Sequence, residues 1–198
     1  MSQVLKIRSI IFVITFFLCQ TSGAMTKEEQ TQIIKEDQSA WAKATMVNER
    51  YAQPPEKWQR VDDPDMKVSL YFPCAATKKV DEAVTYTCAV EQHAYTVQLS
   101  RGDFGVPAAN QARMAGQVYQ IRKRFKDAYG DPVTTIPTTR LFYAGALGRE
   151  EKTISPKVEV VMRTLFLPTL SITMSVAAKS GELPDDVKVF FNSLQIIK

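Results

Sequence analysis

The chain holds few side chains whose type and spacing invite chemistry. It has three cysteines, Cys19, Cys74 and Cys88, and a single histidine, His93. A cysteine thiolate with a histidine as its base makes a nucleophile, and for Cys74 or Cys88 the single candidate base is His93. The competing reading for Cys74 and Cys88 is a disulfide. One histidine excludes zinc sites built on several. It also leaves any Ser-His-Asp triad dependent on His93, with no G-x-S-x-G turn to carry the serine. Asp62, Asp63 and Asp65 cluster as ligands of a hard cation would. Pro64 breaks their spacing, however, and neither the glycine nor the closing glutamate of a calcium loop follows. They read as a solvated turn, and no metal is expected. Glu150-Glu151 and Asp185-Asp186 are the carboxylate pairs open to a secreted hydrolase of glycosidase type, although neighbours in sequence rarely face one substrate. Ala144-Gly145-Ala146-Leu147-Gly148-Arg149 could make a backbone nest with a cation beside it. Gly145, Gly148 and Arg149 are therefore the candidate ligand loop, for an anion. A strand end followed by a polar loop accounts for the same residues. Arg101-Gly102-Asp103 matches an adhesion tripeptide but reads as a strand end with a glycine turn.

The first 24 residues decide between the two cysteine readings. Lys6 and Arg8 precede an apolar run, Ile10 to Cys19, and Gln20 to Ala24 is small and polar, with Ser22 and Ala24 placed as a signal peptidase requires. The run falls well short of the ~20 residues that span a bilayer as a helix. Leu18 does not suit lipid attachment at Cys19. The expectation is a cleaved signal peptide, 1–24, and an exported bacterial protein, periplasmic or secreted, with no stable membrane insertion afterwards. Cleavage removes Cys19, leaves an even pair, and places it in an oxidising compartment. Met66, Val68, Leu70 and Phe72 alternate, and Cys74 continues their parity; Val84, Tyr86, Cys88 and Val90 alternate in the same way. Both sulfurs then point to one buried side, which predicts a Cys74–Cys88 disulfide. With Lys6 and Arg8 gone, 23 basic residues face 21 acidic ones. So nearly neutral a chain asks for no nucleic acid.

The elements that must position these groups follow from periodicity. Thr26-Lys27-Glu28-Glu29 is a capping-box pattern, and Ile33, Ile34, Ala40, Trp41, Ala44 and Val47 follow at helical spacing, which predicts a helix over 27–48. Pro54-Pro55 ends it. Residues 25–56 form an N-terminal helix and linker, and 57–198 a single domain. Strands are expected at 58–61, 66–73, 84–90, 94–101, 140–145, 158–166 and 170–176, with a polar loop at 78–82. Pro107 opens a long amphipathic helix whose stripe is Met114, Val118, Ile121, Phe125 and Ala128, closed by Gly130 and Pro132. The cations between Arg122 and Lys126 on this helix read as a solvated face. Pro184-Asp185-Asp186 opens a short helix carrying Val187, Phe190, Phe191 and Leu194, and Ile196-Ile197 closes the chain. The class expected is α+β: a mainly antiparallel sheet covered by the long helix and the short C-terminal helix.

Trp58-Gln59-Arg60-Val61, Met66 to Pro73 and Val189 to Ile196 resemble the PsbP-like superfamily, which includes DcrB-type envelope proteins. The resemblance spans about residues 57–198 in element order and rests on packing residues. It implies an α+β fold and an accessory or binding role, and it brings no catalytic residues. The Cys74/Cys88 pair and the N-terminal helix lie outside that pattern. The function expected is an exported, soluble, non-enzymatic envelope accessory or binding protein, taking an envelope protein or a small ligand as partner and needing no cofactor. The secreted hydrolase using carboxylate chemistry is the alternative.

Overall fold

The computed structural model describes residues 26–105, 113, 116 and 134–197. Two β-sheets pack face to face. The larger has eight strands in the order β1-β7-β8-β9-β10-β6-β5-β4. These are β1 (Met46–Asn48), β4 (Thr77–Val80), β5 (Val84–Val90), β6 (His93–Arg101), β7 (Thr134–Tyr143), β8 (Ala146–Ile154), β9 (Val158–Leu167) and β10 (Leu170–Lys179). Every neighbouring pair is antiparallel except β1 with β7. The smaller sheet runs β11-β3-β2, from β2 (Gln59–Asp63), β3 (Val68–Phe72) and β11 (Gln195–Ile196). Two helices complete the described residues, α1 (Lys27–Lys43) and α2 (Val187–Asn192).

Hairpin chemistry sets the large sheet. Ala144 and Gly145 join β7 to β8 with both φ angles positive, 52° and 82°. This two-residue turn matches the twist of its flanking strands, and glycine takes its second position without strain. Strand alternation then sends one residue set inward. Tyr86, Tyr95, Val97, Leu99, Leu141, Tyr143, Leu165, Ile172, Met174 and Val176 meet Val68, Leu70 and Phe72 of the small sheet in one buried cluster. Phe190 of α2 fills its centre, with ring centroids 5.5 Å from Phe72 and 5.2 Å from Tyr95. The three segments that carry the PsbP-like resemblance come together here, since β2, β3 and α2–β11 build the small sheet and its helix.

The architecture corrects the expected class. Eleven strands stand against two short helices among the described residues, so the protein is mostly β-sheet. No long amphipathic helix among them covers the sheet; a second sheet covers the inner face instead. The helix expected from Pro107 to Gly130 lies outside the described residues apart from Arg113 and Gly116, which are helical; the cations at Arg122 to Lys126 and the signal peptide expected at 1–24 lie outside them altogether. Three stretches read as loop or helix are strands. Met46–Asn48 pairs with β7 rather than prolonging α1. Thr77–Val80 is an exposed edge strand carrying Lys78 and Lys79, charges that keep such an edge from pairing further. Residues 149–152 continue β8. No described helix is long and apolar enough to cross a membrane.

Candidate functional site

Charge is concentrated where β7, β8 and β9 pass beneath α2. Glu150 and Arg163 are cross-strand partners, which brings their side chains together on the inner face. Arg163 is fully buried. Its Nε and one terminal nitrogen donate to Glu150 Oε2 at 3.1 and 2.7 Å, and the other terminal nitrogen donates to Asn192 Oδ1 at 2.5 Å. The guanidinium lies over the rings of Phe191, at 4.9 Å, and Tyr143, at 5.7 Å, a position suited to its weak hydration. Lys188 and Asn192, one helical turn apart on α2, share a face. Lys188 Nζ donates to Glu49 at 3.0 Å and Glu150 at 2.9 Å, while Asn192 Nδ2 donates to Glu49 at 2.9 Å. Glu49 also stands 3.6 Å from Arg163. Its place is fixed by its own N–H, which donates to the Phe142 carbonyl at 3.0 Å. The Tyr143 hydroxyl, 2.7 Å from the carbonyls of Asn192 and Leu194, secures the end of α2.

Two cations and two carboxylates thus form a closed, neutral cluster. Glu49 and Glu150 touch one ammonium, close enough to invite comparison with a glycosidase pair. The electrostatics oppose that chemistry. Burial works to raise the Glu49 carboxyl, but hydrogen bonds from Asn192 and Lys188, with the charges of Lys188 and Arg163, hold it below its ordinary value. A general acid needs the opposite shift. Burial pushes the Tyr143 phenol up, so it stays protonated as a donor.

A second polar centre holds the small sheet to the large one. Asp63 is fully buried. It accepts from Tyr86 Oη at 2.7 Å, Met66 N at 3.0 Å and Lys78 Nζ at 3.1 Å. Burial acts to raise its carboxyl, and those three donors bring it below the usual carboxylate value. Asp62 instead pairs with Arg60 at the surface. The two therefore do not converge, and no group of three or more metal-ligating side chains occurs among the described residues.

The candidate ligand loop is dispersed. Gly145 sits in the β7–β8 turn. Gly148 lies inside β8 on the core face, where a Cβ would come within 2.5 Å of Leu165 Cδ2 and 2.7 Å of the Thr164 carbonyl. Arg149 points to the opposite face, buried against Glu151 at 2.9 Å. Glu150 and Glu151 likewise face opposite sides of the sheet. Asp186 accepts from Tyr95 Oη at 3.1 Å. His93 opens β6 with Nε2 2.8 Å from the Glu182 carbonyl. Cys74 and Cys88 form a disulfide, Cα atoms 5.8 Å apart, joining the end of β3 to β5. The thiol–histidine pair is thereby removed.

Glu49 and Arg163 drew no attention in the sequence. A glutamate before a proline-rich linker carries no signal. Arginine within an apolar run does, since a lone cation in a strand otherwise bound for the core must have a buried counter-charge. One further feature is apolar. Phe142 and Leu147 are cross-strand partners beside the β7–β8 turn, yet remain 48% and 43% exposed. Phe166 pairs with Leu147 on the next strand, and Phe104 lies 5.6 Å from Phe166, extending an apolar patch along the face turned away from the core.

No protein-family profile and no curated protein matches this chain. Among solved structures, a protein from Bacteroides thetaiotaomicron is similar with a TM-score of 0.40 at 10% identity, over 67% of this chain. The chain spans 46% of that protein's length.

Proposed function

We propose that this is an exported, soluble accessory or binding protein of a bacterial envelope, without an enzymatic role, that engages its partner through the apolar patch around Phe142 and Leu147. The exposed Phe142–Leu147 pair carries the reading. Two large apolar side chains held in water on paired strands, backed by Phe166, make a preformed apolar contact surface. The disulfide supports an oxidising compartment, and the leader pattern of residues 1–24 supports export. Kinship with PsbP-like and DcrB-type proteins belongs to the same proposal. Against the hydrolase stands the cluster itself, whose Glu49 and Glu150 are each committed to two cations.

A photo-crosslinking side chain placed at position 142, in cells making the full chain, tests the proposal. A discrete adduct from position 142 that is absent when the same group replaces exposed Val80 is the expected result. Equal labelling at both positions, or none at either, refutes it.

A further inference from the structure

Residues Lys27 to Ala52 form an arm laid on the edge of the large sheet. Its described attachments are these. Three residues of β1 pair with β7. Arg140 N donates to Thr45 O at 3.1 Å and Ala52 N to Asn192 O at 2.9 Å. The Arg140 guanidinium lies over the Trp41 ring at 5.1 Å. The described side chains of α1 are otherwise mostly in water. Among the described contacts, the one that ties the arm to α2 and β9 by side chains is Glu49, which reaches Lys188, Asn192 and Arg163 together.

We propose that this arm is an acid-releasable strap, latched to the domain by the Glu49–Lys188–Glu150–Arg163 cluster. Both negative charges of the cluster are carboxylates and both positive charges are groups that acid cannot neutralise. Protonating Glu49 takes one carboxylate from Lys188 and from the fully buried Arg163 and leaves the cluster with a net positive charge. A buried cation that loses a counter-charge draws in water or a new partner. The arm is a thin cover, three paired residues on β7 against ten between β9 and β10. The Tyr143 phenol of β7, which also faces Glu49, is pushed up by burial and stays neutral in acid. Release bares the β7 edge from Arg140 to Phe142, beside the apolar patch. The strap does not depend on what that patch binds. Hydrogen bonds hold the Glu49 carboxyl below its ordinary value, so the latch stays closed at neutral pH and opens as the pH falls through the carboxylate range.

Hydrogen exchange of the full chain, read by mass spectrometry and corrected for intrinsic rates, tests the strap, with residues 170–179 as the internal standard. Between pH 7 and about pH 3.5, protection over residues 45–52 should fall about tenfold or more while 170–179 holds. Glu49→Gln should show the lowered protection already at pH 7. Loss of protection in both segments together, or none in 45–52 down to pH 3.5, overturns the proposal. So does Glu49→Gln with the parent's protection at pH 7. Should that variant unfold, 170–179 reports it and the pH series of the parent decides alone.

Discussion

Arg163→Met is the sharpest test of the buried cluster. Methionine keeps a long apolar stem against Tyr143 and Phe191, so little packing is lost. What goes is the guanidinium, with its two hydrogen bonds to Glu150 and one to Asn192. Breaking a buried pair by removing one partner costs about 3–5 kcal/mol, largely because the other charge is left uncompensated. Lys188 remains within 3.0 Å of both carboxylates, which places the cost near the low end, about 3 kcal/mol. For a chain of this size that lowers Tm by roughly 6–12 °C. Urea unfolding at pH 7, followed by far-ultraviolet circular dichroism, measures it. Adding Glu150→Gln removes the stranded charge, so the double variant should recover about 1–2 kcal/mol. A cost below about 1 kcal/mol for Arg163→Met, or a double variant less stable than the single one, refutes the compensation argument.

Further outcomes are expected at three sites. Asp63→Ala strands the Tyr86 hydroxyl and should cost about 2–4 kcal/mol, with Tyr86→Phe adding almost nothing in that background. Because the Asp63 carboxyl is held low, its contribution is present above the unfolded value and fades as the pH falls through the folded one. Asp63→Asn should flatten that part of the acid unfolding curve. Gly148→Ala drives a Cβ onto Leu165 and the Thr164 carbonyl and should cost about 1–3 kcal/mol in thermal melts; an unchanged Tm would show that the strand can move aside. Reducing Cys74–Cys88 should cost about 3 kcal/mol for a closed loop of this length, and the denatured, unreduced protein should yield no free thiol from either position.

The legible parts of this fold were those where apolar and polar residues alternate, as along β10, although Ser171, Thr173 and Ser175, which the alternation places on a wet face, are buried as well. Leu170 to Val176 showed its strand by apolar residues in every second place, and the shared parity of Cys74 and Cys88 brought out their pairing. What escaped was charge turned inward. Glu150-Glu151-Lys152 looks like a loop because three charges in a row belong in water. Each is instead neutralised within the sheet, Glu150 by Arg163, Glu151 by Arg149 and Lys152 by Glu159. Compensation is a property of neighbouring strands, invisible along a single one. Lys78 and Lys79 failed for the opposite reason, since a polar edge strand and a polar loop share a composition. Asp63 shows the limit at one residue. It sits in an acidic turn sequence, and its burial is made tolerable by Met66 N together with the distant Lys78 and the Tyr86 hydroxyl, 23 positions on. Met46–Asn48 lost its helical periodicity to an open neighbouring edge on β7, a tertiary gain that propensity does not register.

The Glu49 contacts bind the order in which the fold can be completed. Lys188 lies 139 positions after Glu49, and Asn192 lies 143 after it. A chain emerging amino end first therefore holds Glu49 without Lys188 and Asn192, and β3 without β11, until residues 187–196 are free. The large sheet can assemble its hairpins meanwhile, but its apolar face stays open until α2 arrives with Phe190 and Phe191. Contacts of such separation slow folding. Residues 187–196 complete the core, and a chain lacking them should persist as an open sheet, prone to aggregate before it folds.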